Sequence, residues 1–300
     1  MGLTKVISSK RAMGTLCIIC SAFCFALMNL FVRLSGDLPT FEKSFFRNAV
    51  AAVIAVVALI RNGESFMWHK GCLPGLIIRA TAGTVGILCN FYAIDHLVLS
   101  DASMLNKMSP FFAVIFSYII MKERVNLFQG LAVVTAFIGS LFIIKPTPGL
   151  LDPASLVGLL GGLGAGIAYA MVRRLTSMGE RKAYIVFFFS CFSCLVTLPA
   201  LIFDFHPISW MQMLMLICAG MSAAGGQFSI TAAYSYAPAR EISVFDYTQI
   251  IFAALLGFFF LGQELPDMWS VIGYIIICGV SVTMFIYNNK MINRGAAHER

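Results

Sequence analysis

The sequence predicts an all-α membrane protein with ten transmembrane helices in two inverted five-helix repeats. Three observations carry this expectation. Hydrophobic residues make up 59% of the 300 residues and charged residues only 12%, about half the charged share with which a soluble domain covers its surface. The charges fall in short clusters between apolar runs of about twenty residues, the length that crosses a hydrocarbon core. The two halves of the chain also echo each other, and each holds an odd number of runs. Because the apolar residues come in blocks rather than alternating, the runs do not read as strands of an outer-membrane barrel. Helices satisfy every backbone group within one lipid-exposed segment.

The first run, 13–34, is too long for a signal peptide and lacks a clean small-residue cleavage site, so it reads as a retained first span. SGDLPT ends it, and a second span follows at 44–60. RNGESFMWHK separates that span from a third at 73–94. DHLVLSD leads into a fourth at 100–121, and KERVN into a fifth at 127–145. The proline-bearing connector KPTPGLLDP divides the chain into repeats 1–148 and 149–300. The second repeat has spans at 154–172, 183–203, 210–235, 242–262 and 268–287, joined by RRLTSMGERK, DFHP, APARE and GQELPD. No connector is long and polar enough to form a soluble domain.

Charge orients the bundle. With the N-terminus in the cytoplasm, fifteen Lys and Arg lie on the inner side, against only Arg33, Lys43 and Lys145 on the outer. The opposite orientation would invert that bias, so both termini are expected to be cytoplasmic. The net charge of +7 follows from this bias and from contact with anionic inner-leaflet lipid. It gives no reason to expect a nucleic-acid partner.

Shifted by about 140 residues, YAIDHLVLSDASML (92–105) lies over AAYSYAPAREISVF (232–245), with Asp101 opposite Glu241 and Ser103 opposite Ser243. SYIIMKERVNLF (117–128) likewise resembles GFFFLGQELPDMW (257–269), bringing Glu123 near Glu264. With five spans per repeat, the second half must insert upside down. Inverted repeats supply inward-open and outward-open states around a site near the midplane.

FEKSFFRN (41–48), SMLNKMSPFFAVIFSYIIMKE (103–123) and FDYTQIIFAALLGFFFLGQELPD (245–267) resemble the drug/metabolite transporter superfamily, specifically its EamA-type ten-helix transporters. The resemblance covers nearly the whole chain. It implies two inverted repeats around a central cavity, both termini inside, and a bacterial inner membrane. It also implies carriage of a small metabolite: some members take up S-adenosylmethionine or riboflavin, and others export amino acids or other metabolites. The shared motifs are diffuse rather than catalytic, so they speak to fold and transport more than to substrate.

Polar groups at membrane depth are costly and mark candidate sites. Arg47 lies just inside the second span, where it either snorkels to the headgroups or faces a cavity; the resemblance at this stretch favours the cavity. Arg79, about two turns into the third span, is open to the same two readings. Lys107 lies deep in the fourth span, beside Asn106 and just before Pro110, whose missing N–H frees a carbonyl. Its counterpart region is FDYTQ (245–249), holding Asp246, Tyr247 and Gln249. Asp246, the deepest acid, either pairs with Arg79 or Lys107, binds a cationic substrate group, or carries a proton. Asn29, Asn90, Tyr92, Tyr169 and Gln227 are secondary candidates that either bond substrate or join helices. Three intramembrane cations against one acid point to a zwitterionic or anionic substrate.

The rival readings lack their residues. All four histidines fall in connectors or the tail, and no GxSxG, HExxH or paired-acid motif supports a membrane-embedded enzyme acting on a lipid or lipid-linked substrate. Cys191 and Cys194 form a CxxC with neither a second pair nor a nearby histidine, so no metal or other cofactor is expected. Gly158, Gly162 and Gly166 repeat the GxxxG spacing of close helix contact, and no GK[ST] follows to make a nucleotide loop. The phenylalanine runs VFFFSCF and LGFFF read as lipid-facing or packing surface. The apolar faces are compatible with a homodimer or with lipid bilayer alone.

Overall fold

The structure, a computed structural model, describes residues 2–96, 105–144, 153–203, 205–262 and 267–298. Among the described residues there are ten principal helices and no strand: α1 (Gly2–Leu34), α2 (Thr40–Arg61), α3 (Leu73–His96), α4 (Ser109–Met121), α5 (Leu127–Ile144), α6 (Pro153–Ser177), α7 (Lys182–Phe203), α8 (Trp210–Tyr236), α9 (Thr248–Leu261) and α10 (Met268–His298). Eight segments are long and apolar enough to cross a membrane, counting Ala239–Leu261 as one; Ser109–Met121 and Leu127–Phe142 are shorter apolar helices. The outward faces carry large apolar side chains such as Leu195, Phe259 and Ile275, as a bundle solvated by lipid requires. A shallow apolar groove between α5 and α10, lined by Ile138, Leu141, Phe142 and Trp269, lies on this outer surface.

Two helices differ from the continuous spans expected from hydropathy. The fourth span is expected over 100–121; among the described residues Leu105 and Asn106 are helical, a turn follows at Lys107 and Met108, and α4 begins at Ser109. Pro110 explains the restart: its missing N–H is harmless in a first turn and breaks the ladder anywhere later. The ninth span enters through a one-turn helix, Ala239–Ile242, and a 3-10 turn, Ser243–Tyr247, before α9. Both broken helices also end alike, on a left-handed residue: Lys122 (φ 55°) after α4 and Gly262 (φ 63°) after α9. The more regular α8 is opened by a capping box, with Ser209 Oγ accepting from the Gln212 N–H and Gln212 Oε1 from the Ser209 N–H.

The most extensive helix pairings all run between the halves. α1 lies along α8 and α3 along α6, which are the same pairing once α1 is matched with α6 and α3 with α8. α2 meets its counterpart α7, and α5 meets α10. α4 packs on α6 as α9 packs on α1. This is the two-fold arrangement that inverted repeats produce.

Glycines on α6 allow this interlock. A Cβ on Gly164 would stand 2.6 Å from the Ala82 carbonyl of α3, and one on Gly166 would stand 2.3 Å from Phe112 Cβ of α4. One helix thereby presents a smooth face to each of two neighbours, the contact role expected of the GxxxG spacing.

The symmetry reaches single side chains at the membrane faces. Glu42, in the first turn of α2, accepts the His206 backbone N–H at 2.5 Å, with His206 Nδ1 at 3.6 Å. On the opposite face, Glu180 before α7 accepts the His69 backbone N–H at 2.9 Å, with His69 Nδ1 at 3.8 Å. Both carboxylates are buried and both imidazoles are more than half exposed. Each glutamate thus holds the loop that follows the second helix of the other half. Arg181 reinforces one of these loops by donating to the Ser65 and Met67 carbonyls.

Candidate functional site

The two broken helices bring Lys107 and Asp246 together. Lys107 Nζ lies 3.3 Å from Asp246 Oδ2 and 2.6 Å from Gln249 Oε1. Tyr247 closes the knot by donating its hydroxyl hydrogen to the Lys107 carbonyl at 3.1 Å. A continuous helix would have occupied that carbonyl with the N–H four residues on; the restart at Ser109 leaves it to the partner helix. Lys107, Asp246 and Tyr247 are buried, and Gln249 is half-buried. Of the two cations available to Asp246, it is therefore Lys107 that takes it.

Arg79 has a different setting. Its Nη2 donates to Gln227 Oε1 of α8 at 2.7 Å, and its guanidinium carbon lies 3.8 Å from the ring centre of Phe189 on α7. Gly83, one turn along α3, leaves room for it: a Cβ there would stand 2.6 Å from Arg79 Nη1 and 2.9 Å from the Phe189 ring. Arg47 is held by Met28, with Nε 3.0 Å from the thioether sulfur. Both arginines are only 2% exposed, so each is packed inside the bundle rather than extended to a headgroup layer.

Tyr169 of α6 stacks its ring on Tyr234 of α8 at 5.4 Å. The centre draws on α1, α2, α3, α7, α8 and both broken helices, with contributions from each half. Asn29 and Asn90 are half-buried, and among the described residues neither bonds to the Arg79–Gln227 or Lys107–Asp246 group. Tyr92 is 41% exposed and stacks on His96 at the far end of α3, outside the centre. Asp101 and Glu264, matched to Glu241 and Glu123 by the repeat, lie outside the described residues.

Three members were not singled out by sequence: Phe189, Gly83 and Met28. The VFFFSCF run reads as lipid-facing or packing surface. Phe189 within it is 1% exposed and packs against a cation, whereas Phe259 and Phe260 of the other run do face outward. One turn before Phe189, Ile185 is fully buried, an inward stripe that shows in the packing and not in the residue types.

Ion pairs brace the face on which α1 begins. Glu123, just after α4, binds Arg173 Nε of α6 at 3.1 Å and accepts from Ser117 at 2.8 Å. Arg11 of α1 meets Glu241, before α9, at 2.9 Å.

This architecture can be set beside known proteins. The model of the EamA-like transporter family matches twice, over residues 12–145 and 153–285. The chain belongs to the EamA-like transporter family. Among curated relatives of this EamA-like protein, the pseudopaline exporter CntI of Pseudomonas aeruginosa (strain UCBPP-PA14) is 32% identical over 267 residues, 88% of this chain and 93% of that protein. Human solute carrier family 35 member G1 is 26% identical over 285 residues, 90% of this chain and 78% of the other. The riboflavin transporter of Vibrio cholerae serotype O1 (strain ATCC 39315 / El Tor Inaba N16961) is 25% identical over 291 residues, 91% of this chain and 93% of its own. A solved crystal structure at 15% identity superposes with a TM-score of 0.78 over 94% of this chain and 99% of that one, a likeness of fold alone. The EamA-like chain is accordingly a multi-pass membrane protein of a transporter family.

Proposed function

We propose that this protein is a secondary transporter that moves a small zwitterionic or anionic metabolite across the inner membrane by alternating access. One observation carries the reading: two buried arginines, with no carboxylate partner among the described residues, lie at the junction of two inverted halves. A buried charge costs several kcal/mol unless paired, and a passing anion offsets that cost once per cycle. Rocking of the halves about the Lys107–Asp246 knot exposes the centre to each side in turn. The positive-inside bias supports cytoplasmic termini in this reading, with the two repeats taken as 1–148 and 149–300. The substrate-binding set is Arg47, Arg79, Asn90, Lys107, Gln227, Asp246, Tyr247 and Gln249. No residue pattern in it assigns an enzymatic role.

Transport is tested with purified protein in proteoliposomes loaded with a metabolite panel: S-adenosylmethionine, riboflavin, amino acids, nucleosides and organic anions. Counterflow of at least one labelled compound, lost in Asp246→Asn, supports the reading. A properly inserted chain with no counterflow across the panel, and no thermal stabilisation by any member, counts against it.

A further inference from the structure

Within the transport reading, the buried charges divide into two groups with different tasks. Lys107 and Asp246 neutralise each other at 3.3 Å, with Gln249 completing the lysine's shell. Among the described residues, Arg79 is met only by neutral groups, the Gln227 amide oxygen and the Phe189 ring. Arg47 is met by a thioether. Among the described residues, Arg47 Nη1 and Arg79 Nε and Nη1 have no hydrogen-bond partner although all three are buried. Both arginines lie along one stretch of α7: Arg79 packs on Phe189, and one turn further along Ser193 accepts from Asn48, the chain neighbour of Arg47, at 2.9 Å.

Two like charges placed together in a low dielectric without an acid repel strongly. A structural arginine at such depth would be paired, as Arg173 is by Glu123. The surroundings instead hold each guanidinium in place and leave N–H groups over. Gly83 is required to be small by the Arg79 head itself, and Phe189 fixes the plane of that head.

We infer that Arg47 and Arg79 form an oxyanion subsite that takes a carboxylate group of the substrate, while Lys107 and Asp246 hold the broken helices together and do not bind that group. A planar carboxylate matches the fork of a guanidinium with two parallel N–H bonds. The surplus of two positive charges is then met by ligand rather than by protein. This rests on the transporter reading for its physiological meaning, but the binding itself can be measured separately.

The test is thermal stabilisation of the full-length protein in detergent by malate, citrate and inorganic phosphate at constant ionic strength, in the native chain and in Arg47→Lys and Arg79→Lys. The lysine variants keep charge and approximate volume, and their unliganded melting curves report whether they fold. Dose-dependent stabilisation by a carboxylate is expected, weakened about tenfold or more in either variant, as loss of a charge-assisted bidentate contact gives. Stabilisation by phosphate with none by carboxylates overturns the carboxylate assignment. No stabilisation by any of the three anions, or stabilisation undiminished in both variants, overturns the subsite. Proteoliposome counterflow separates the two readings. Neutral compounds carried with no effect of Arg79→Lys leave a transporter and remove the subsite; carboxylate binding without counterflow of any compound leaves the subsite and removes transport.

Discussion

The Tyr247 hydroxyl donates to the Lys107 carbonyl at 3.1 Å, and these two positions correspond to each other under the internal repeat of about 140 residues. Each lies at the break of its own span, so the bond ties the two discontinuities to one another across the pseudo-two-fold axis. Tyr247→Phe removes the donor and leaves a buried carbonyl unmet, at a cost of about 1–3 kcal/mol. The expected result is a melting temperature lowered by several degrees with ring packing kept. An unchanged melting curve would show that the carbonyl finds another donor.

Breaking the buried pair from one side is costlier than removing it whole. Asp246→Asn or Lys107→Met alone should lower stability by about 3–5 kcal/mol, because one charge is left uncompensated, while the double variant should recover much of the loss. Asp246→Asn is also expected to insert normally and fail to transport. Full transport by that variant would remove the acid from the mechanism.

Gly83→Ala tests how tightly Arg79 is seated. The added methyl meets the guanidinium and the Phe189 ring together, and overpacking of this kind costs about 1–3 kcal/mol. The expected readout is a loss of anion-dependent stabilisation larger than the loss of basal melting temperature. Phe189→Leu should act in the same direction and more mildly, forfeiting a cation–π contact of about 0.5–2 kcal/mol. Equal effects of Gly83→Ala on liganded and unliganded protein would mean that Arg79 moves aside freely.

The two glutamate–histidine clamps predict face-specific effects. Glu180→Gln should speed hydrogen–deuterium exchange in the 64–72 loop by about tenfold, the loss of roughly one charged hydrogen bond, and leave 205–209 unchanged. Glu42→Gln should do the reverse. If each substitution loosens both faces equally, the clamps report global stability rather than separate closures.

Much of this architecture is legible in the residues because lipid imposes simple rules. Span length, blocks of apolar residues and the odd count per repeat follow from the bilayer and appear directly in the sequence. Lys107, Asp246, Tyr247 and Gln249 were also findable, since polar groups flanking a proline or crowding a span entrance are conspicuous in an apolar chain. Arg47 and Arg79 could be named but not placed: a cation one or two turns from a surface can snorkel or turn inward, and only the packing of Met28 and Phe189 decides. Phe189 and Gly83 were missed because an apolar residue against a cation looks, in sequence, like one against lipid. The interruption before Ser109 was hidden by hydropathy, which measures transfer of side chains and ignores the backbone ladder. The pairing of Glu42 with His206 joins residues far apart in the chain, and no local pattern signals it.

The cross-half pairing of helices has a consequence for synthesis of the chain. Lys107 and Asp246 are separated by 139 positions, so at about 5–20 residues per second the lysine precedes its acid by on the order of ten seconds. Gln227, which meets Arg79, is made 148 positions after that arginine. The first five helices therefore leave the ribosome carrying cations whose protein partners do not yet exist. In that interval they depend on the insertion machinery, lipid headgroups or water to shelter them, and a ribosome stalled at the midpoint would release a half that is poorly suited to the bilayer by itself.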